Sequence, residues 1–299
     1  MTKRGIDLSK HNGNVDFSKV KASRKVDYVI LRAGLGKLAS QKDAKFETYY
    51  RDAKAAGFPV GAYWFSYAMD EEEARQEADA FLEVIKGKQF EYPVYYDVEL
   101  DKQFALGKEK VSKIIRAFLE RVESKNYWVG LYGSYSSLTT YTAMDIRERY
   151  AIWLAHWGVK KSPYSTQYGM WQYGVGKIPG IVGDVDVDEC YEDYPTAIKN
   201  AGDNGFEKPS SVDAPISEST TDNDNEIKNY PVPTRVLKEG TTGDDVKWLQ
   251  SKLKDRKYYG GEIDGSFGLI TLGAVLAFQM KNGLAIDGIC GPATRAKVM

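Results

Sequence analysis

The sequence is poor in residues that bind metals or form nucleophilic pairs. Its 299 residues include two histidines, His11 and His156, and two cysteines, Cys190 and Cys290. Two histidines cannot build a His-rich zinc site, and the widely separated cysteines do not indicate a disulfide framework. The sequence contains no Cys/His pairing that would indicate a thiol hydrolase. We therefore expect no metal and no cofactor, and we expect both cysteines to be small, buried or half-buried residues.

The chain also lacks an excess of charge and any long apolar run. Its 41 Lys and Arg residues nearly balance 42 Asp and Glu residues, so no basic field would draw it to nucleic acid. The first residues, MTKRGIDLSKHNG, contain no apolar signal-peptide segment, and no stretch could span a membrane. We expect synthesis in the cytoplasm, no nucleic-acid partner and no membrane insertion. The oligomeric state is left open.

Residues 1–204 alternate short apolar runs with amphipathic segments. Eight runs resemble strands: RGIDLS, DYVILRAG, PVGAYWFSYA, YPVYYDVEL, YWVGLYGSY, RYAIWLAHW, GMWQYG and DVDVDE. Apolar residues at helical spacing predict helices around residues 74–85 and 111–122. The alternation predicts an α/β fold, a TIM-like (β/α) barrel. The last three runs are too close for full crossover helices, so the barrel should be irregular, with shortened helices, in its second half.

Residues 205–232 are rich in Ser, Thr, Asp, Asn and Pro and nearly free of large apolar residues. Such a segment cannot bury enough surface to offset its ordering entropy. We expect a flexible acidic linker between two domains.

Residues 233–299 carry an internal repeat. IDGSFGLIT and IDGICGPAT share the pattern IDGxxGxxT, and VKWLQ echoes VLAFQ. Asp-Gly turns followed by Thr at a helix start predict a small three-helix domain. Its expected core consists of Leu237, Val246, Leu249, Leu253, Val275, Phe278 and Leu284.

The run YPVYYDVEL carries two acids, Asp97 and Glu99, at its end. On a strand, residues two apart share a face, with Cα atoms roughly 6.5 Å apart. In a barrel both carboxyls would point inward at the C-terminal rim, where active sites lie. When two carboxyls lie close together, the pKa of one of them rises because two like charges repel. One carboxyl then keeps its proton, and the other can stabilise a cation. Glycosidic cleavage needs this pair.

Further acids fall at equivalent strand ends. Asp7 ends the first run, and Asp186 lies in the last run between Asp184 and Asp188. First and last strands of a closed barrel are neighbours, so Asp7 and Asp186 should converge. Alternation alone does not tell which acid of the last run points inward. Clustered acids destabilise a fold but suit a site that binds a polyhydroxylated substrate.

Residues 1–204 closely resemble the glycoside hydrolase family 25 lysozymes of phage endolysins and bacterial autolysins. The resemblance is carried, in the family's order, by GIDLSKHNG, YVILRAG, GAYWFSYA, PVYYDVE, GLYGS, IWLAHW, WQYG and VDVD. It implies that Glu99 is the general acid for the β-1,4 bond between N-acetylmuramic acid and N-acetylglucosamine. Asp97 would orient the acetamido group or stabilise the transition state, and Asp7 and Asp186 would complete the site. Asp188 stands where the family has Asn, which leaves its role open.

The resemblance also implies a groove lined by aromatic residues near strand ends. The candidates are Tyr63, Phe65, Tyr132, Trp153 and Trp171. Ring faces can stack on sugars while polar edges stay in water.

The C-terminal repeat resembles peptidoglycan-binding domain 1, a three-helix module. Bacterial peptidoglycan is then the expected partner, and the module would raise the local substrate concentration for the enzyme. The expected site of action is the bacterial cell wall. Synthesis in the cytoplasm of a phage's host would require a holin-type release partner.

Two other functions are weighed against a muramidase. Barrel chitinases carry DxxDxDxE, but Tyr95 occupies the acidic position before Asp97 here, so the longer run of acids is missing. A catalytically silent wall-binding protein would not need Asp7, Asp97, Glu99 and Asp186. For a muramidase, covalent retention, inversion and acetamido-assisted retention are all open, and the resemblance favours the last.

Overall fold

The computed structural model describes residues 2–208, 230–256, 258–285 and 287–299. The chain divides into two compact units, residues 1–214 and 215–299. Most of the predicted linker, residues 209–229, lies outside the described residues, so its flexibility stays a prediction. None of the described helices is long and apolar enough to cross a membrane.

Residues 2–208 contain a closed barrel whose strands follow sequence order. The strands are β1 (Lys3–Leu8), β2 (Tyr28–Leu35), β3 (Val60–Phe65), β4 (Val94–Asp97), β5 (Val129–Ser134), β6 (Ala151–Ala155), β7 (Met170–Gly176) and β8 (Val185–Cys190). Strands β1 to β7 pair in parallel, whereas β8 is antiparallel to both β7 and β1. The predicted barrel of eight strands is confirmed.

The direction of β8 follows from the short connection before it. Residues 177–184 link β7 to β8, whereas a parallel crossover takes a dozen or more residues. The predicted irregularity of this half is confirmed, but the reversal of the strand was not predicted. Because β8 is reversed, its first residues lie at the rim where β1 ends.

Helices pack around the barrel. They are α1 (Phe17–Ala22), α2 (Phe46–Ala55), α3 (Glu71–Ile85), α4 (Asp101–Phe104), α5 (Lys108–Glu123), α6 (Tyr135–Thr140), α7 (Met144–Arg149) and α8 (Tyr194–Ala201). The side chain of Asp70 caps α3 by accepting a hydrogen bond from the Glu73 N–H. The predicted apolar face of α5 is buried, and its Phe118 stacks on Tyr96 of β4 with ring centroids 3.8 Å apart. Each such large side chain contributes about 1.5–3 kcal/mol by burial.

Alternation along the strands separates an outer core from a set of inward-facing aromatic rings. The inner set includes Tyr28, Tyr95 and Trp153. Glycines make room for these rings, since a Cβ on Gly5 would lie 2.2 Å from the Tyr28 ring and one on Gly130 would lie 2.4 Å from Tyr95. The barrel interior is therefore filled.

The second unit contains α9 (Asp244–Asp255), α10 (Leu269–Lys281) and α11 (Pro292–Val298), which confirms a three-helix region. The predicted core is buried, apart from Leu284, which is partly buried against it. Cys190 and Cys290 are buried and free, as predicted.

The repeat in this unit is a pair of turns held by helix glutamines. Gln250 Nε2 donates to Asp264 Oδ1 over 2.7 Å, and its Oε1 accepts from the Gly265 N–H over 2.9 Å. Gln279 makes the same two hydrogen bonds in the second turn, with the same lengths. The Asp and Gly of IDGxxGxxT therefore serve the turn.

Candidate active site

Three of the predicted acids meet at one end of the barrel, which we call the acidic rim. Asp7 of β1 pairs with Asp186 of β8, as their predicted convergence requires. Asp97, the last residue of β4, lies between Phe65 of β3 and Tyr132 of β5. Asp7 and Asp97 are 7% and 4% exposed, and Asp186 is half-buried.

Glu99 lies just beyond the acidic rim. Strand β4 ends at Asp97, so the prediction that Glu99 also lies on this strand was wrong. The pairing of β4 with β3 and its pairing with β5 both end at Asp97. Glu99 is exposed to solvent, yet its negative charge still raises the pKa of Asp97.

Burial dominates the electrostatics of the two deepest rim acids. It raises the pKa of Asp97 well above its usual value, the charges of Glu99 and Asp7 raise it further, and Arg32 opposes them. Burial and the charge of Asp186 raise the pKa of Asp7 to about 8, against a hydrogen bond from Gln172. Asp7 is therefore largely protonated at neutral pH.

The outer two acids are shifted in the same direction. Protein surrounds the Glu99 carboxyl on the sides away from solvent, and this desolvation raises its pKa, with a contribution from Asp186 and an opposing hydrogen bond with Tyr132. Burial also raises the pKa of Asp186. Glu99, just beyond the rim, is thus an exposed acid that keeps its proton to a higher pH than a free carboxyl.

Asp188 adds a fifth carboxyl, below the rim. It is fully buried and pairs with Gly5 of β1 and Gln172 of β7. Its Oδ1 accepts a 2.8 Å hydrogen bond from Trp153 Nε1. Burial, followed by the charge of Asp7, raises its pKa well above the usual value. Asp184 precedes β8 and is exposed.

Gln172 is a central residue of the site that the sequence analysis missed. It is 3% exposed, and its Nε2 donates to Asp7 Oδ2 over 2.8 Å. Its Oε1 accepts from Tyr132 Oη and from Trp157 Nε1, each over 3.0 Å. The signal was the motif WQYG, to which no role was given.

Arg32 of β2 is a second residue without a predicted role, although it lies in the motif YVILRAG. Its Nε and Nη2 both lie 2.7 Å from Asp43 Oδ2. The backbone N–H groups of Lys10 and Lys45 also donate to the Asp43 carboxylate. This partly buried ion pair brings positive charge to the acidic rim, where it lowers the pKa of Asp97.

The predicted aromatic residues divide into three positions. Tyr63, Phe65 and Tyr132 lie near the strand ends beside the acids. Trp153 is 1% exposed and forms part of the barrel interior. Trp171 packs in the outer core, where its Nε1 donates to the His156 carbonyl. Trp157, which was not predicted, is 50% exposed after β6.

The arrangement suits proton transfer to a substrate. An exposed carboxyl with a raised pKa can donate a proton, while the buried carboxyls beside it provide hydrogen-bonding groups and developing negative charge. In the described parts of the chain, no group of three or more His, Cys, Asp or Glu side chains is arranged to hold a metal ion.

Comparison with protein families identifies both parts of the chain. Residues 6–181 match Glycosyl hydrolases family 25, which is more than half of the chain. Residues 242–298 match a peptidoglycan binding domain family.

Relatives agree with this assignment. The autolytic lysozyme of Clostridium acetobutylicum is 27% identical over 296 residues, which cover 97% of this chain and 77% of that protein. The modular autolysin LytC from Streptococcus pneumoniae, solved with a synthetic peptidoglycan ligand, is 30% identical with a TM-score of 0.56; the match covers 64% of this chain and 47% of LytC. The bacterial lysozyme from Streptomyces coelicolor, at 24% identity and a TM-score of 0.56, shares the fold over 67% of this chain and 96% of that one. The chain therefore belongs to family 25 of the glycosyl hydrolases and is a peptidoglycan hydrolase of the lysozyme type.

Proposed function

We propose that Glu99 is the general acid that protonates the leaving oxygen of the β-1,4 bond between N-acetylmuramic acid and N-acetylglucosamine. The observation that carries this proposal is the contrast between Glu99 and the two buried acids of the rim. Asp7 and Asp97 are buried, whereas Glu99 is exposed and has a raised pKa. A general acid must both reach the substrate and hold a proton at the working pH.

Asp97 is proposed to bind the acetamido group of the substrate. Its Oδ1 is buried and has no hydrogen-bond partner among the described residues. A buried oxygen of this kind is costly unless a ligand fills its hydrogen-bonding capacity. An acetamido N–H would do so and would hold the acetamido oxygen for attack on the anomeric carbon. This supports acetamido-assisted retention over the other two mechanisms.

Asp7 and Asp186 complete the proposed site. As a largely neutral acid that accepts from Gln172, Asp7 can donate to a sugar hydroxyl or to Asp186, its neighbour across the ladder. We propose Tyr63, Phe65 and Tyr132 as groove residues. Trp153 lies below the groove, where its Nε1 donates a hydrogen bond to Asp188. Trp171 is not part of the proposed groove because it packs in the outer core.

The proposed division of labour along the chain has residues 1–204 as the muramidase, 205–232 as a flexible acidic linker and 233–299 as the wall-binding module. Tethering would raise the local concentration of glycan at the enzyme. The proposed place of action is the bacterial cell wall. A holin-type release partner stays a prediction from the sequence.

Mass spectrometry of digested peptidoglycan tests the bond that is cleaved. Muramic acid at the new reducing ends is expected; glucosamine at those ends, or freed peptides, would contradict a muramidase. Digestion of chitin oligomers at a comparable rate would favour the chitinase-like alternative. No cleavage at all would favour a catalytically silent protein. NMR of the first-formed anomer then separates retention from inversion.

A further inference from the structure

A cluster of completely buried polar side chains lies between α3, β4 and α4, next to the acidic rim. Its members, each 0% exposed, are Glu77, Tyr96, Ser66 and Gln103. Glu77 Oε2 accepts from Tyr96 Oη, and Tyr96 Oη shares a second hydrogen bond with Ser66 Oγ, each over 2.7 Å. Burying polar groups is costly unless they are hydrogen-bonded, and a connected network of this kind holds its members in one arrangement.

Gln103 of α4 joins this cluster to the residue that follows Glu99. Its Nε2 donates to Ser66 Oγ over 2.8 Å and to the Ala68 carbonyl over 2.9 Å. Its Oε1 accepts from the Leu100 N–H over 3.3 Å. The amide of Gln103 therefore ties the start of α4 to the segment that follows β3.

Glu99 lies between two attachments to this cluster. Residues 98–100 form neither helix nor strand, so no regular structure fixes their path. Before them, the Asp97 carbonyl accepts from the Ser66 N–H over 2.9 Å. At their end, Gln103 holds the Leu100 N–H and also donates to Ser66. The backbone of Glu99 is thus held from the buried side, while its carboxyl is exposed.

We propose that Gln103 is a positioning residue, which holds Glu99 where its carboxyl can reach the leaving oxygen of the substrate. The inference rests on the proposed role of Glu99 as general acid and deepens it. Because Gln103 is 0% exposed, it cannot touch the glycan and acts through the backbone of Leu100. Proton transfer requires a separation of about 2.6–3.2 Å between donor and acceptor atoms, and a displacement of about 1 Å can cost about 100-fold in rate.

The test is Gln103→Met in the full chain, which keeps the length of the side chain and removes its amide. We expect kcat on soluble peptidoglycan fragments to fall by about 10- to 100-fold, because Glu99 is displaced. KM should stay near the parent value, because the side chains proposed to line the groove lie on barrel strands. In a Glu99→Gln background, Gln103→Met should cause no further loss of kcat, since the group that it positions is already unable to donate a proton.

Asn204→Asp is the matched control at the other end of β4. Asn204 is also 0% exposed, and its Nδ2 donates to the carbonyls of Phe90 and Tyr92 over 3.0 and 2.9 Å. The control therefore removes a buried amide donor just before β4, far along the strand from Glu99. Its thermal stability should fall, as in Gln103→Met, but its kcat should stay at the parent value.

Ser66→Ala is a second, smaller change to the cluster. It removes only the hydroxyl that accepts from Gln103 Nε2 and leaves the bond to the Ala68 carbonyl possible. We expect a decrease in kcat at unchanged KM, smaller than in Gln103→Met. Combined with Gln103→Met, it should lower kcat by less than the product of the two single effects, because both act on one connection.

A parent kcat in folded Gln103→Met would overturn the inference, as would an equal loss of kcat in Asn204→Asp or a further loss in the Glu99→Gln background. If Gln103→Met does not fold, Ser66→Ala decides, and a parent kcat in that variant overturns the inference too. Failure of the proposed function looks different. In that case Glu99→Gln retains near-normal cleavage, whatever the Gln103 variant does.

Discussion

Asp7 and Asp186 face each other across the antiparallel ladder that closes the barrel. Each carboxyl is held above its ordinary pKa, by burial in both cases, and Asp186 adds to the shift at Asp7. The fold thus places two acids together at the seam between its first and last strands. This placement has consequences for stability as well as for catalysis.

Stability should fall with rising pH because of Asp7. Its pKa is about 8 in the folded chain and about 3.9 when unfolded, so between these values the folded state holds the extra proton. The stabilisation is complete below the unfolded pKa and is lost as pH rises through about 8. Thermal melts from pH 4 to 9 should show a flatter decline in Tm for Asp7→Asn. Asp184→Asn, at an exposed acid, should keep the parent slope; the same slope in Asp7→Asn would refute the shift.

Glu99→Gln should remove catalysis without removing the fold. The amide keeps the shape of the side chain but has no acidic proton, and general acid catalysis contributes about 10²–10⁴-fold. Initial rates of turbidity clearing should fall by that factor, while sedimentation with purified walls is unchanged. Glu109→Gln, on the exposed start of α5, should clear walls at the parent rate. Near-normal clearing by Glu99→Gln would end its assignment as the acid.

Arg32→Met should destabilise the barrel strongly. It leaves the carboxylate of Asp43, which is 1% exposed, without its cationic partner. Removing one member of a buried pair costs about 3–5 kcal/mol. Denaturant unfolding should report this loss, whereas Lys37→Met, which breaks the more exposed pair with Glu73, should cost about 0–1 kcal/mol. Equal losses in the two variants would show that the Arg32 pair is not structurally important.

Deleting residues 233–299 should reduce activity selectively. A tethered binding module helps only where the substrate also carries its binding sites. Clearing of whole walls should fall several-fold, while cleavage of short soluble glycan fragments stays near the parent rate. An equal loss on both substrates would argue against an anchoring role.

Sequence patterns were sufficient for the barrel and for the main acids. Apolar runs with period two, helices at 3.6-residue spacing and turn residues are local signals, and they located the strands and the faces of α3 and α5. Closure of the barrel placed the acids of the last run beside Asp7, and the family resemblance selected Asp186 among them. The IDGxxGxxT repeat likewise indicated turns, which Gln250 and Gln279 hold.

The sequence could not predict where β4 ends, nor which residues of β7 face the barrel interior. Glu99 lies outside the sheet because the pairing of β4 with β3 and with β5 ends at Asp97, and that pairing depends on neighbours distant in the chain. Trp171 faces outward because Gln172 faces inward. Either phase of MWQYG would put a large side chain in the barrel, so composition could not decide. The role of Gln172 appears only when β1, β5 and the segment after β6 meet.

The reversed last strand also sets the order in which the chain can fold during synthesis. Strand β8 inserts between β7 and β1, and its Cys190 pairs with Lys3. Until residue 190 and its successors have left the ribosome, a sheet of the parallel strands would have two unpaired edges, at β1 and at β7. Exposed edge strands can pair with strands of other chains. We therefore expect the nascent enzyme to be most prone to aggregation just before β8 emerges, and a pause in translation at that point should prolong this state.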